Sequence, residues 1–385
     1  VSTGEWQVLV RDADRRVIGE VTGENDLEVI DRHLAVGAWK VTVDAASHDA
    51  ALLREGAGIV FLRDGEIAFS GPTRQIERVQ SADDGGVGTL IASGACDKAW
   101  LSRLVWPVPG TAIPETGTTF PVESYELAAA PAETVLRTLV DKHAGPGAAA
   151  ARRVPGLTLA ADGARGTPVS VSSRFGVLLD TLVELGARGG VGFDVVQRPG
   201  GSLEFAVYPE RDRRAAARFS IELGNLRSYQ YTLTPPEATF VIVADDKEKT
   251  ARRFYGFDRP DPGWPGLRAE DFVDGADLGT ADPVGTARTQ ANTRLDETAG
   301  RAAVTFEPID TEAVVLGRDY RKGDRVSLEI DGVEVDDLVR EIRYTRTAGE
   351  GQVVVPIVGA DEQRPRIYEQ LTRLRRRIHS RETRR

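Results

Sequence analysis

Four histidines, one cysteine and a large stock of carboxylates are where catalysis or metal binding would have to begin in this 385-residue sequence. His33, His48, His143 and His379 lie far apart, and none has a partner at the spacing that seats two ligands on one metal. Each reads as a packing or surface residue. Cys96 stands alone, so there is no CxxC metal site and no internal disulfide framework, and nothing requires an oxidising compartment. It closes the apolar-polar run Thr89–Cys96 and reads as a small core residue. A GxSxG elbow is missing, which leaves a hydrolase triad without an anchor. Gly85-Gly86-Val87-Gly88 sits between strands without the following helix that phosphate cradling needs, so it reads as a hairpin loop. Gly317–Gly323 has the glycine spacing of a P-loop, but Asp324 stands where lysine is required. A glycosidase needs two carboxylates across a cleft. The pairs Asp245/Asp246 and Asp336/Asp337 are adjacent on strands and point to opposite faces, which argues against either as a dyad. No catalytic, cofactor-binding or metal-ligating residue is therefore assigned, no cofactor is expected, and the chain is not expected to be an enzyme.

Composition narrows the class further. A chain of this length can bury a sizeable core and is expected to hold several domains. Hydrophobic content of 41% and charged content of 28% are ordinary for a globular protein, and a net charge of −10 argues against coating nucleic acid. The first residues lack the apolar stretch of a signal peptide, and no run approaches a membrane span. Methionine is absent throughout, which fits a chain whose initiator was removed. The excess of Ala, Gly, Arg, Asp and Val points to a GC-rich genome.

With chemistry set aside, the elements dominate. Arg325–Ile330 alternates strictly, with Val326, Leu328 and Ile330 on one face, which is the period of a half-buried strand. Asp331-Gly332 is a hairpin signal, because both turn positions can require positive φ. Strands Val333–Val335, Leu338–Thr345 and Gln352–Val358 follow, giving an antiparallel meander. Its wording recurs early in the chain. Gly56 to Asp64-Gly65 repeats the spacing of Gly323 to Asp331-Gly332, and Ile59 and Phe61 fall where Val326 and Leu328 do. The echo suggests a duplicated β-barrel.

In order, residues 1–105 read as a first β-barrel. Its strands are Trp6–Val10, Val17–Val21, Leu27–Arg32 and Ala38–Val43, and the meander Ile59–Val79 and the strand Thr89–Cys96 complete it. Ser47 caps a short helix running to Arg54. Trp106–Gly110 breaks both periodicities and opens an α/β insert, 106–220. One helix starts at Pro131 and stops at Gly145. A second is expected from a cap at Ser172 or Ser173 to Gly186, and a hairpin turns at Pro199-Gly200-Gly201. Residues 221–245 and 303–360 read as a second barrel. Residues 246–302 read as an inserted, loop-like lobe with one polar helix near Pro283–Gly300. In the tail, 361–385, Ile367, Leu371, Leu374 and Ile378 form an a/d seam beside nine arginines. This is either a coiled-coil stalk or docking helix, or a surface helix with a solvated basic face.

Three stretches together carry a resemblance. GAWKVTVDAASHDAALLREGAGIVFLRDGEIAFSGPTRQIERV, then SRLVWPVP after Gly-Ala-Cys-Asp, then LGRDYRKGDRVSLEIDG resemble a siphophage tail-tip (baseplate) hub protein of the tail-associated-protein N-terminal type. The resemblance covers almost the whole chain in order. It implies an α+β fold, predominantly antiparallel β, with two tail-tube-like β-barrels in one chain and α/β insert domains. It also implies a homotrimeric ring matching a sixfold tube to a threefold tip, in the virion tail. Partners would be the distal tail or tail tube protein, the tape measure protein and tip fibre or spike proteins. The acidic balance of the chain would suit a lumen through which DNA passes without specific binding. Many such proteins continue into a peptidoglycan-cleaving or fibre region, whereas this chain stops at Arg385, so no lytic role is expected. Two other readings stand beside it. One is a cell-wall carbohydrate-binding module, for which Trp264 with Tyr255 is the candidate aromatic cluster; the other is a carboxylate-dependent wall-degrading enzyme.

Overall fold

A computed structural model describes residues 5–80, 87–247, 249–309, 311–330, 332–347, 349 and 351–359. The seam at Ile367–Ile378, most of the acidic turn at Ser81–Gly88 and Asp331 lie outside the described residues. The chain divides into two compact units. The first contains 1–212, 316–325 and 338–357; the second contains 213–315, 326–337 and 358–385.

The first unit opens with β1 (Trp6–Arg11), β2 (Val17–Val21), β3 (Glu24–Arg32) and β4 (Ala38–Asp44), then α1 (His48–Leu52). The Ser47 hydroxyl accepts the Ala50 N–H at 3.1 Å, the cap that the sequence predicts. β5 (Gly58–Arg63), β6 (Glu66–Val79) and β7 (Thr89–Ala95) complete the run. Asp64 and Gly65, both at positive φ, turn β5 into β6. β6 is long because it pairs first with β5 and then, past a bulge, with β7. The strands form one sheet in the order β3-β4-β7-β6-β5-β1-β2, all pairs antiparallel. Alternation places Trp6, Val8, Val10, Trp39, Val41 and Val43 in the core. Gly94 faces Trp39, where a Cβ would stand 2.5 Å from the indole nitrogen and 2.1 Å from the Pro72 carbonyl.

Beyond a 3-10 turn at Asp97–Leu101 comes the mixed part of this unit. It consists of β8 (Tyr125–Pro131), α2 (Ala132–His143), β9 (Leu157–Leu159), β10 (Pro168–Ser173), α3 (Leu178–Gly189), β11 (Val191–Gln197) and β12 (Leu203–Pro209). β8 pairs with β10, while β11, β12 and β9 make a second small sheet. The apolar stripes of α2 (Val135, Leu136, Leu139, Val140) and α3 (Leu178, Leu182, Leu185) pack with Phe193 and Phe205 in one core. The expected cap at Ser172 or Ser173 is corrected. Both serines are paired into β10, Phe175 takes positive φ, and the helix starts at Leu178. Gly186 does not end α3 either. It lies within the helix, where a Cβ would come 2.7 Å from Leu34, and Gly190 at φ 66° is the left-handed cap.

The second unit holds β13 (Arg218–Phe219), β14 (Leu226–Thr234), β15 (Phe240–Asp245), β16 (Phe254–Asp258), β17 (Glu270–Ala276), α4 (Pro283–Glu297), β18 (Arg301–Pro308) and most of β19 (Arg325–Ile330). β14 pairs with β18, and β13 runs parallel to β19. The loop-like reading of 246–302 is corrected here: β16 and β17 flank β15, and α4 covers one face of the three strands. Two short strands, separated by the Pro260–Pro265 turns, were masked by those turn signals. α4 is polar as expected, with a narrow stripe of Ala287, Ala291 and Leu295 against Val241, Val243 and Tyr255. Asp282 caps it by accepting the Gly285 N–H at 2.9 Å.

β20 (Val333–Thr347) and β21 (Gly351–Val358) finish the described chain. Within the first unit, Glu341–Thr347 of β20 pairs antiparallel with β3 and so extends the N-terminal sheet. Tyr344 meets Trp6 at 5.6 Å and Phe61 at 5.3 Å between ring centroids. The echo in the sequence is matched locally. Gly56 and Gly323 both take positive φ, as do Gly65 and Gly332, and Ile59, Phe61, Val326 and Leu328 are all buried.

Candidate functional site

The glycine-rich stretch that could not be a P-loop is a tight turn that delivers one lysine. The Gly317 N–H donates to the Tyr320 carbonyl, and the Arg321 N–H donates to the Asp324 carboxylate at 2.9 Å. Gly323 and Val339 fix the end of the turn: the Gly323 N–H reaches the Val339 carbonyl, and the Val339 N–H reaches the Asp324 carbonyl. Gly323 sits at φ 83°, and a Cβ there would lie 2.8 Å from Tyr208 and 2.9 Å from His33. Only glycine satisfies both the backbone and the space.

The turn points Lys322 inward. Its Nζ donates to Asp31 Oδ1 at 2.5 Å and to both oxygens of Asp194 at 2.9 and 3.0 Å. Lys98 Nζ also reaches Asp194, at 3.2 Å, and donates to the Arg32 carbonyl. Around these charges stand the Tyr208 ring beneath Lys322 and the Phe193 ring beneath Lys98. Tyr208 Oη and His33 Nδ1 are 3.1 Å apart, and His33 Nε2 is 3.1 Å from Glu210 Oε1. With Nε2 as donor and Nδ1 as acceptor the ring satisfies both contacts. The side chains of Lys98, Lys322, Asp31 and Asp194 keep 2%, 9%, 16% and 25% of their exposure, so the cluster is sunk but not sealed.

The two carboxylates are driven apart. Burial raises Asp31, and the Asp194 charge adds to that rise, so its carboxyl sits above the ordinary range despite Lys322. Burial also opposes ionisation of Asp194, but Lys322 and Lys98 together outweigh it and hold that carboxyl below the range. Burial works against the Lys322 ammonium, and the Asp194 and Asp31 charges overcome it, leaving the lysine well above its usual value. Burial pushes the Tyr208 phenol well up, so it is neutral and available as a donor.

A second network lies in the same unit. Arg11 grips Asp97 through two hydrogen bonds of 2.7 and 2.9 Å and donates to Gln197 Oε1 at 2.7 Å. The Ser70 hydroxyl and the Trp100 indole N–H complete the Asp97 shell. Arg11 and Asp97 are almost fully buried. This bidentate pair ties β1, β6 and β11 to the 3-10 turn and has no open position for a reactant.

The residues weighed in the sequence fall elsewhere. His48 starts α1 on the surface. His143 is buried at the end of α2 with its ring edge-on to Tyr125, and neither nitrogen has a hydrogen-bond partner. Burial and the Arg152 charge push it down to about 4. His379 lies outside the described residues. Cys96 is buried, and burial raises its thiol. Asp245 is buried and accepts the Arg253 N–H, while Asp246 is exposed, so they do not form a dyad. Asp336 and Asp337 are both buried; Asp336 faces Arg214. Tyr255 packs on the core of α4, and the exposed rings nearby are instead Phe254 and Phe272, with Arg252 over both. Among the described residues no group of three or more His, Cys, Asp or Glu could hold a metal, and no helix is long and apolar enough to cross a membrane.

The fold is similar to that of known phage tail proteins. The 43 kDa tail protein of prophage MuSo2 from Shewanella oneidensis shares it. That similarity has a TM-score of 0.52 at 12% identity, over 91% of this chain and 98% of that one. A tail protein of Neisseria meningitidis aligns over 92% and 97% at 13% identity, with a TM-score of 0.49. Comparison with curated protein sequences gives no match. The sequence matches the family described as Siphovirus ReqiPepy6 Gp37-like protein over residues 7–360, and the chain belongs to that family.

Proposed function

We propose that the chain is a structural protein of a phage or phage-derived tail tip, located in the virion tail. Its role is that of a homotrimeric hub that closes the tail tube and anchors fibre or spike components. The observation that carries this reading is the family match over 7–360, supported by a tail-protein fold that spans nearly all of both chains. In this reading the duplicated meanders belong to two tube-like barrels, 1–105 and 221–245 with 303–360, and three chains supply six of them around one axis. The a/d seam expected in 361–385 would begin a threefold stalk. Distal tail, tape measure and tip proteins are the expected partners, and DNA passes without specific binding. The structural reading rests on the family match, and both buried charge networks tie elements of the fold together.

Light scattering behind a sizing column tests it. About three chain masses, with a ring visible by electron microscopy, supports the hub. A stable twofold dimer would overturn it. A basic inner wall in a resolved ring would sink the idea of a lumen that lets DNA slide.

A further inference from the structure

We infer that Lys322 and Asp31 are a self-modification site, at which the lysine Nζ condenses with the Asp31 carboxyl to form an intramolecular isopeptide bond. The inference goes beyond the tail-tip reading and does not rest on it. It stands on three arranged groups. Lys322 Nζ is the nucleophile, and it already touches Asp31 Oδ1 at 2.5 Å. Asp31 is the electrophile, and Lys322 is the cation that contacts it at hydrogen-bond distance. Asp194 is the proton carrier: both of its oxygens are within 3.0 Å of the same Nζ, and Lys98 holds it in place from the other side.

The divergence of the two carboxyls fits these roles, since the acid must lose its hydroxyl as water and the base must stay ionised. The step balances. One proton passes from the Lys322 ammonium to the Asp31 carboxylate, giving an amine beside a carboxylic acid. The amine lone pair attacks Asp31 Cγ and forms the C–N bond. Asp194 takes a proton from the nitrogen and returns one to the departing hydroxyl, the C–O bond breaks, and one water leaves. Nothing is oxidised or reduced, and no co-reactant is needed.

Two physical terms favour condensation over the ion pair. Fixed contact between the reacting groups is equivalent to an effective molarity of about 10⁵ M or more. The amide also removes one cation and one anion from a site where both are partly stripped of water. The raised basicity of Lys322 keeps the neutral pair scarce and makes the reaction slow. A single event per chain tolerates a slow rate. The Tyr208 and Phe193 rings flank the site, limiting competing water. The product would tie the 316–325 turn covalently to β3.

Intact-mass spectrometry of the purified full chain tests this. The expected mass is one water, about 18 Da, below that of the sequence, and proteolysis should release a branched peptide joining Asp31 to Lys322. Lys322→Arg and Asp31→Ala should each restore the full mass, and Asp194→Asn should restore it in most of the population. A folded wild-type chain at full mass, with no branched peptide after prolonged incubation, overturns the proposal. So does a water loss that persists in Lys322→Arg, because that would place the dehydration at another residue, such as an Asp-Gly turn. The branched peptide is read on the wild-type chain, so the result does not depend on the variants folding.

Discussion

Lys322 Nζ lies 2.5 Å from Asp31 Oδ1, although 291 residues separate the two in the chain. The contact joins a turn near the C-terminus of the described chain to the third strand of the N-terminal sheet. It does so with a charge that is almost out of water. Such a pair adds little net stability against a well-packed apolar substitute, but removing one partner strands the other. Lys322→Ala leaves Asp31 facing Asp194 with Lys98 as the remaining cation in contact with Asp194. Measured against the uncondensed chain, a loss of about 3 kcal/mol is expected, read as a lower urea midpoint at unchanged slope. A midpoint within error of wild type would show that the cluster is solvated enough to do without its lysine.

Gly323 and Gly317 bracket the same turn and allow a paired comparison. Both take positive φ, but a Cβ on Gly317 meets nothing within 4 Å, whereas one on Gly323 collides with Tyr208 and His33. Gly317→Ala should cost about 1 kcal/mol, the strain of the left-handed backbone alone. Gly323→Ala should cost clearly more, because the clash adds to the same strain. Equal losses in parallel urea titrations would mean that His33 and Tyr208 move aside freely.

The pair Arg11–Asp97 offers a test of how a buried bidentate contact acts. Asp97→Ala leaves the Arg11 guanidinium, the Ser70 hydroxyl and the Trp100 N–H without their shared acceptor. About 3–5 kcal/mol should be lost. The double variant Arg11→Met with Asp97→Leu should recover part of this, since it removes both charges together. Additive losses in the double-variant cycle would contradict direct coupling.

Much of this architecture was legible from local chemistry. Strand alternation located β1, β4 and β19; Asp64-Gly65 located its hairpin; and Ser47 located its cap. What the sequence concealed is long-range and charged. Asp31, Lys98, Asp194 and Lys322 look like ordinary surface charges, as do Arg11 and Asp97, and nothing local says which of them meet. A partial signal was present. Asp194 interrupts the apolar run of β11, and Asp97-Lys98 directly follows the buried Cys96. A charge inside an apolar strand needs a partner, but the sequence does not say which. The lobe of 246–302 hides its strands for another reason: they are short, and the prolines between them give the stronger pattern. Ser172 and Ser173 have cap chemistry, yet strand pairing with β8 uses them first.

His143 makes stability depend on pH in a defined window. The ring is buried with neither nitrogen bonded, and burial together with Arg152 lowers it from 6.5 to about 4. Its folded value is therefore below its unfolded one, so the unfolded chain binds the extra proton first as pH falls. Stability from this residue is fully present above pH 6.5, declines between 6.5 and about 4, and is constant below that. The shift corresponds to about 3 kcal/mol across the window. His143→Leu keeps the apolar packing beside Tyr125 and removes the titration. Urea midpoints measured from pH 7 to pH 4 should fall less steeply for the variant than for the wild-type chain. Parallel curves would mean that water or a side-chain shift already solvates the imidazole in the folded state, and that the acid sensitivity of this unit arises at its carboxylates.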